Sequence, residues 1–432
     1  MKYVKLTLCI FLVCVLFSGC SFRFSSSIDD LISPVSPFGD NAEIKNVLDG
    51  YLSNGYTLKA ASTGDYITSY NFFDLDSDSQ EEALAFYEPG DNLGTVSMAL
   101  IAKSDGTWTV RGSIPGEGRE VHSMAFEDVN GDGLYEVIVC WDAIANSSNH
   151  QLCVYQYAPE SQDEVLYLMD KPITVNNYTS VNMYDGDTKE LLLFEISNGT
   201  SQSNKAELYS FSENKAKLVG ETKLDSHVTD YQKLQAEEVD GGYRIYADAL
   251  GSDGLSMLTE LIYWSDTYKT IISPFYSYQT GLTQDTIRSL PVPSTDVNDD
   301  GILEIPIDYD IDAGGISKLD WRVFRHSVLL HSAYSLYAAR DGYLVVIPDE
   351  YIDSITTDYD EKTHEMTVSA ANGSETVFTL MPVLKATYSP EKYPGYVNVR
   401  EAFGYCYLAK IGSSSAFPIT ADELTKSIKV FD

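Results

Sequence analysis

The chain is poor in positive charge. Lys and Arg total 29 against 64 Asp and Glu, a formal net charge of -35 at pH 7. Such a surface repels nucleic acid and anionic lipid, which makes both poor partners, and it attracts divalent cations. Cysteine is sparse, with six in 432 residues, and no CxxC pair occurs, so a Cys-rich zinc site or a thioredoxin-type motif is unsupported. No GxSxG turn, HExxH helix, P-loop or complete GxGxxG is present. Gly116 and Gly118 in PGEGRE lack the third glycine, and His364-Glu365 lacks a second histidine at helical spacing. His326 and His331 sit in an apolar stretch and read as packing or surface residues. No convincing catalytic centre emerges, so the expectation is a non-enzyme. No apolar run reaches eighteen residues, which excludes a multi-pass membrane protein.

What is present begins at the N-terminus. Lys2 and Lys5 precede an apolar core over residues 6–17, followed by Ser18-Gly19-Cys20. This layout resembles a bacterial lipobox, with Phe17 where the pattern usually has Leu. The resemblance implies cleavage of a signal peptide spanning 1–19 and acylation of Cys20. Residues 20–40, rich in Ser and Pro, then form a tether. The expected location is extracytoplasmic, held to the cell membrane by the lipid on Cys20 alone.

Self-similarity organises much of the rest. FFDLDSDSQEEALAFY from Phe72, FEDVNGDGLYEVIVCW from Phe126 and STDVNDDGILEIPIDY from Ser294 align without gaps. Weaker copies, each an acidic turn leading into an apolar strand, surround Asp185 and Asp240. Together they describe five units of about 55 residues, each long enough for four short strands. The fold expected is mainly β. A β-propeller-like repeat body of five to seven blades spans 41–316, and a small α+β domain spans 317–432.

The three full loops carry oxygen at alternate positions, the arrangement that converges on one hard cation. The expected calcium ligands of the first are Asp74, Asp76, Asp78, Gln80 and Glu82. Those of the second are Asp128, Asn130, Asp132, Leu134 and Glu136. Those of the third are Asp296, Asn298, Asp300, Ile302 and Glu304. Gln80, Leu134 and Ile302 stand at the seventh position, which can offer a carbonyl. Gly133 and Gly301 stand at the sixth, where a positive φ is expected. Up to three structural Ca2+ ions follow. At these loops the chain resembles the FG-GAP/VCBS repeat family, although the Phe-Gly and Gly-Ala-Pro signatures are absent. The layout also resembles uncharacterised bacterial VCBS-repeat lipoproteins. That resemblance implies a surface-anchored binding protein and supplies no reaction.

Local expectations complete the reading. Asn41 caps a short helix that places Ile44, Val47, Leu48 and Tyr51 on one face. WRVFRHSVLLHSAYSLYAA, which overlaps the start of the C-terminal domain, reads as an amphipathic helix. Thr420 and Glu423 form a capping box that opens a last helix. Cys140 and Cys153 flank a polar turn, and either a cross-strand disulfide or two buried thiols fits. Of three functions weighed, a calcium-stiffened protein- or glycan-binding module comes first. An envelope enzyme acting on polysaccharide and an assembly subunit of an envelope complex are the alternatives.

Overall fold

A computed structural model describes residues 39–432, apart from 146, 160–165, 184, 185, 187, 198–202, 213, 214, 240, 241, 313, 314, 372, 374 and 432. The signal peptide, Cys20, most of the tether, and Asp185 and Asp240 of the weaker repeats therefore lie outside the described residues. The chain divides into two compact units, one ending at Ser53 and one running from Asn54. The described part of the first is a helix over Asp40–Tyr51. Its cap is Gly39 (φ 62°), with no side-chain cap bond, so the expected cap at Asn41 is displaced by two residues into the helix. Ile44 and Leu48 are buried as expected, whereas Tyr51 is exposed.

The second unit is mainly β, and its described residues form six antiparallel sheets of four or five strands, plus one two-stranded ribbon. In the first sheet, Tyr56–Lys59 and Tyr70–Phe73 share one edge of Glu82–Pro89, and Ser97–Ser104 and Thr107–Pro115 follow. The second runs through Glu120–Glu127, Glu136–Asp142 and His150–Tyr157. The third runs through Asn177–Val181, Glu190–Glu195, Asn204–Ser212 and Lys215–Leu224. The fourth contains Val228–Val239, Gly242–Gly251, Met257–Ser265 and Thr270–Ile272. The fifth contains Glu304–Asp310, Ile316–Arg325, Val328–Ala338, Tyr343–Ile347 and the late strand Ile428–Val430. The sixth orders Ile355–Asp360, Glu365–Ala370, Thr376–Leu384, Tyr405–Ile411 and Val397–Ala402.

Inner strands such as Glu136–Asp142 (EVIVCWD) are buried at every residue, because a neighbouring sheet covers each face. Aromatic pairs mark these contacts. Phe86 meets Trp141 between the first two sheets at 5.6 Å between ring centres. Phe194 meets Tyr231 between the third and fourth at 4.6 Å, and Tyr343 meets Tyr407 between the last two at 5.4 Å. Such pairs add about 0.5–1.5 kcal/mol beyond their area.

Two expectations need correction here. The segment read as an amphipathic helix is a hairpin of Ile316–Arg325 and Val328–Ala338, turned by His326 (φ 52°) and Ser327 (φ 64°). Two consecutive residues with positive φ make a tight hairpin turn, usually signalled by Asn-Gly. His-Ser hides that signal, and long apolar strands buried on both faces imitate a helical stripe. Residue 317 consequently falls inside a strand of the fifth sheet. Among the described residues of the segment that follows, the one helix longer than a turn is Ala421–Ser427, where Thr420 and Glu423 form the expected capping box.

The cysteine alternatives also separate. Cys140 pairs with Leu152, and Val139 pairs with Cys153. One residue of offset sends the two side chains to opposite faces. Cys140 packs with Leu191 and Leu193, and Cys153 packs with Trp141 and Phe86. Both thiols are free and buried, and burial pushes the Cys153 thiol up to about 12.

Candidate functional site

Each of the three acidic loops leads into a sheet strand, Glu82–Pro89, Glu136–Asp142 or Glu304–Asp310, and their backbones share one geometry. Asp74, Asp128 and Asp296 each accept two backbone N–H bonds from their own loop. The partners are Asp78 and Ser79 at 3.0 and 2.9 Å, Gly131 and Gly133 at 2.7 and 3.1 Å, and Asp300 and Gly301 at 3.0 and 2.8 Å. The fourth and sixth positions carry positive φ in every case. They are Ser77 and Ser79 (59° and 70°), Gly131 and Gly133 (74° and 85°), and Asp299 and Gly301 (62° and 84°). The expected turn at Gly133 and Gly301 is thus present, and the first loop adopts it with serine.

At the fifth position, Asp78, Asp132 and Asp300 accept from the N–H of Gln80, Leu134 and Ile302 at 2.7, 2.9 and 2.9 Å. Asn130 and Asn298 donate to Glu136 and Glu304 at 2.9 and 3.1 Å. In the first loop, one oxygen from each of Asp74, Asp76 and Asp78 lies within 4.8 Å of the others.

The ninth-position glutamates reach inward. Glu82, Glu136 and Glu304 are buried and accept from the N–H of Leu75, Val129 and Val297 at 2.9, 3.0 and 3.0 Å. Burial dominates their titration, pushing Glu82 up to about 7, Glu136 up to about 8, and Glu304 above its ordinary value. Glu190 repeats the contact in the third sheet, accepting from Met183 N–H at 2.7 Å. The third unit therefore keeps the closing glutamate, although its sequence has Asn182, Tyr184 and Gly186 at the alternate positions and its acids Asp185 and Asp187 out of step with them.

A second constellation, which the sequence reading missed, lies at the opposite ends of these sheets. In the second sheet the register shifts between Val121 and Ser123, leaving His122 as an extra residue in its strand. A bulge of this kind re-aims a side chain. Ser62 and Thr63 pin the bulge through their N–H groups to the His122 carbonyl at 3.1 and 2.9 Å. Asp142 ends the next strand and His150 opens the third.

His150 Nδ1 bonds Asp142 Oδ1, and His122 Nδ1 stands 3.8 Å from Asp142 Oδ2. The two imidazoles stack with centres 3.6 Å apart. His150 and Asp142 are buried, while His122 keeps 31% of its side-chain surface. Burial, reinforced by His150 and opposed by Asp142, holds His122 below its ordinary pKa. The imidazole is accordingly neutral at pH 7, with a lone pair available.

Both rings face a cavity of about 730 Å³ that spans the first four sheets. Asn176, Asn177, Thr229, Asp230 and Gln232 give it a polar wall, and Tyr178 and Tyr231 add aromatic surface. Asn176 ties the wall together, donating to Ser148 O at 2.6 Å and accepting from Ile196 N–H at 2.6 Å. Tyr231 is fixed from behind by a 2.7 Å bond to the buried Glu260.

One local signal did mark the place. Gly118 passes so close to Asp142 that an added Cβ would lie 2.5 Å from its carbonyl oxygen. The glycines of PGEGRE serve close packing, Gly116 against the Trp141 ring and Gly118 against the Asp142 backbone.

No protein-family profile matches the chain, and no curated protein matches it. Among solved structures, it is similar to a rhamnogalacturonan lyase at 17% identity, over 67% of this chain and 56% of that one, with a TM-score of 0.36. A Bacillus licheniformis rhamnogalacturonan lyase follows at 15% identity, over 74% and 71%, with a TM-score of 0.35. A hypothetical selenium-binding protein of Sulfolobus tokodaii shares 13% identity over 49% and 55%, with a TM-score of 0.31. The chain spans little more than half of the first lyase. Likeness at this level fixes neither fold nor activity. The expectation of a non-enzyme is corrected on the geometry instead: two histidines beside a buried carboxylate face an open cavity with room for a substrate.

Proposed function

We propose that the chain is an extracytoplasmic protein that acts on an envelope polysaccharide in the cavity between its first four sheets. The observation that carries this reading is the His122–Asp142–His150 group, where neutral nitrogen and carboxylate oxygen meet at the wall of a polar cleft. Proton transfer or electrophilic assistance to a sugar oxygen needs such groups. The amide and hydroxyl lining supplies paired donors and acceptors of the kind sugar hydroxyls require, and the volume falls within the usual range for small-molecule sites. The six sheets are proposed to be blades of a propeller related to the FG-GAP/VCBS repeats, with calcium in the three acidic loops. The lipid on Cys20 is proposed to hold the whole at the membrane.

Turnover by the full chain is the test, with uronate-containing and neutral polysaccharides supplied in excess calcium. New reducing ends report hydrolysis, and ultraviolet absorbance reports the unsaturated ends left by elimination. Product that disappears in Asp142→Asn and His122→Gln supports the reading. No product from any polysaccharide, together with a co-purifying envelope protein, would replace it with an assembly role.

A further inference from the structure

We propose that His122, Asp142 and His150 form a binding site for a transition-metal ion of the zinc class, distinct from the calcium loops and open toward the cavity. Two imidazole nitrogens and one carboxylate oxygen are a donor set that calcium, which takes oxygen, does not favour and zinc does. Metal–ligand bonds of about 2.1 Å at tetrahedral angles place donor atoms about 3.4 Å apart. Here one potential donor atom from each residue lies within 4.8 Å of the other two. Asp142 stands at the edge of the stacked rings, with one oxygen toward each Nδ1.

The geometry is built rather than accidental. It needs the bulge that turns His122 inward, the carbonyl bonds from Ser62 and Thr63 that hold the bulge, and a turn that brings His150 back opposite Asp142. Three protein ligands also leave the fourth tetrahedral position free, the arrangement of sites that take water or substrate at the metal. His122 is the partly exposed member, so that position faces the cavity. The ligand it would accept is an oxygen donor, a water or a sugar hydroxyl or carboxylate. Asp65 and Asp230 on the same wall add negative charge that favours a cation.

The metal's role toward sugar rests on the proposed polysaccharide chemistry, whereas its binding does not, and one experiment separates them. The full chain, stripped by chelation and returned to excess calcium, is titrated with Co2+ and then Zn2+, with visible absorption and melting temperature followed. One equivalent of Co2+ should produce visible bands of a low-coordinate site, and one equivalent of Zn2+ should displace them. His122→Gln should keep the wild-type melting temperature and calcium response while its Co2+ affinity falls at least about tenfold. Absence of bands in the wild type, or bands unchanged in His122→Gln, overturns the metal site. Turnover that persists in the stripped enzyme but needs His122 would overturn the metal's role toward sugar and leave the proposed function standing. Stoichiometric metal without turnover would do the reverse.

Discussion

The two ends of these sheets solve different problems with similar residues. At the end of the acidic loops, carboxylates bond to the backbone of their own turn, and the geometry recurs three times with little variation. At the cavity end, a histidine, an aspartate and a second histidine come from three adjacent strands, a grouping found once among the described residues. The loops are local, so a stretch of nine residues contains each whole site. The cavity group is assembled by pairing: His122 and Asp142 meet because a bulge places one beside the end of the other's strand. Local repetition points to a structural role, and a single non-local cluster facing a cleft points to chemistry.

Removing calcium should separate the two ends most sharply. A ligand held at ten to one hundred times its dissociation constant stabilises the native state by about 1.4–2.7 kcal/mol per site. Three filled loops therefore predict a fall of many degrees in melting temperature when EGTA replaces calcium, read by calorimetry. An unchanged melting curve would leave the loops as solvated turns. The next effect in size is Glu136→Ala, which strands the buried N–H of Val129 at a cost of about 1–3 kcal/mol. Glu136→Gln keeps an acceptor there, so it should retain apo stability while blunting the calcium response. If Ala and Gln behave alike, the inward glutamate is not what holds the loop.

This division also explains what was legible in the sequence. Asp128, Asp132 and Glu136 could be read as parts of one turn because nine consecutive residues hold all three, and the positive φ expected at Gly133 is present in that turn. The strands were legible where apolar runs met acidic turns. His326 and Ser327 misled because nothing in their chemistry announces a two-residue turn with both φ positive. His122 and His150 were not read because 28 residues of chain separate them and strand register alone brings them together. Gly116 and Gly118 were noticed and dismissed for phosphate, when their lack of side chains was the clue to close packing against Trp141 and Asp142.

A smaller effect tests the cavity wall from behind. Burial pushes Glu260 up to about 8, so in the native state it stays protonated where an unfolded chain releases the proton. The native form then binds more protons between about pH 4.5 and 8, and stability must fall as pH rises through that window. Measured in excess calcium, so that the loop glutamates are held, the wild type should lose more stability across this range than Glu260→Gln. Parallel pH profiles would mean that the Glu260 carboxyl ionises normally behind Tyr231.

His122→Gln should have the smallest effect on stability and the largest on chemistry. The side chain is partly exposed, its carbonyl rather than its ring anchors the bulge, and substitutions of this kind usually stay within about 0.5 kcal/mol. Its folded pKa lies below the unfolded value, so in the wild type it contributes stability above about pH 6.5 that is lost as pH falls through its lowered pKa. The variant should remove that acid-side loss while leaving the melting temperature at pH 7.5 unchanged. Turnover on polysaccharide should fall by at least about a hundredfold, the usual scale of a lost proton-transfer group. A variant with wild-type turnover would move the chemistry away from this cavity. A variant whose melting temperature collapses would make His122 part of the scaffold, and the contrast between the two ends of the sheets would disappear with it.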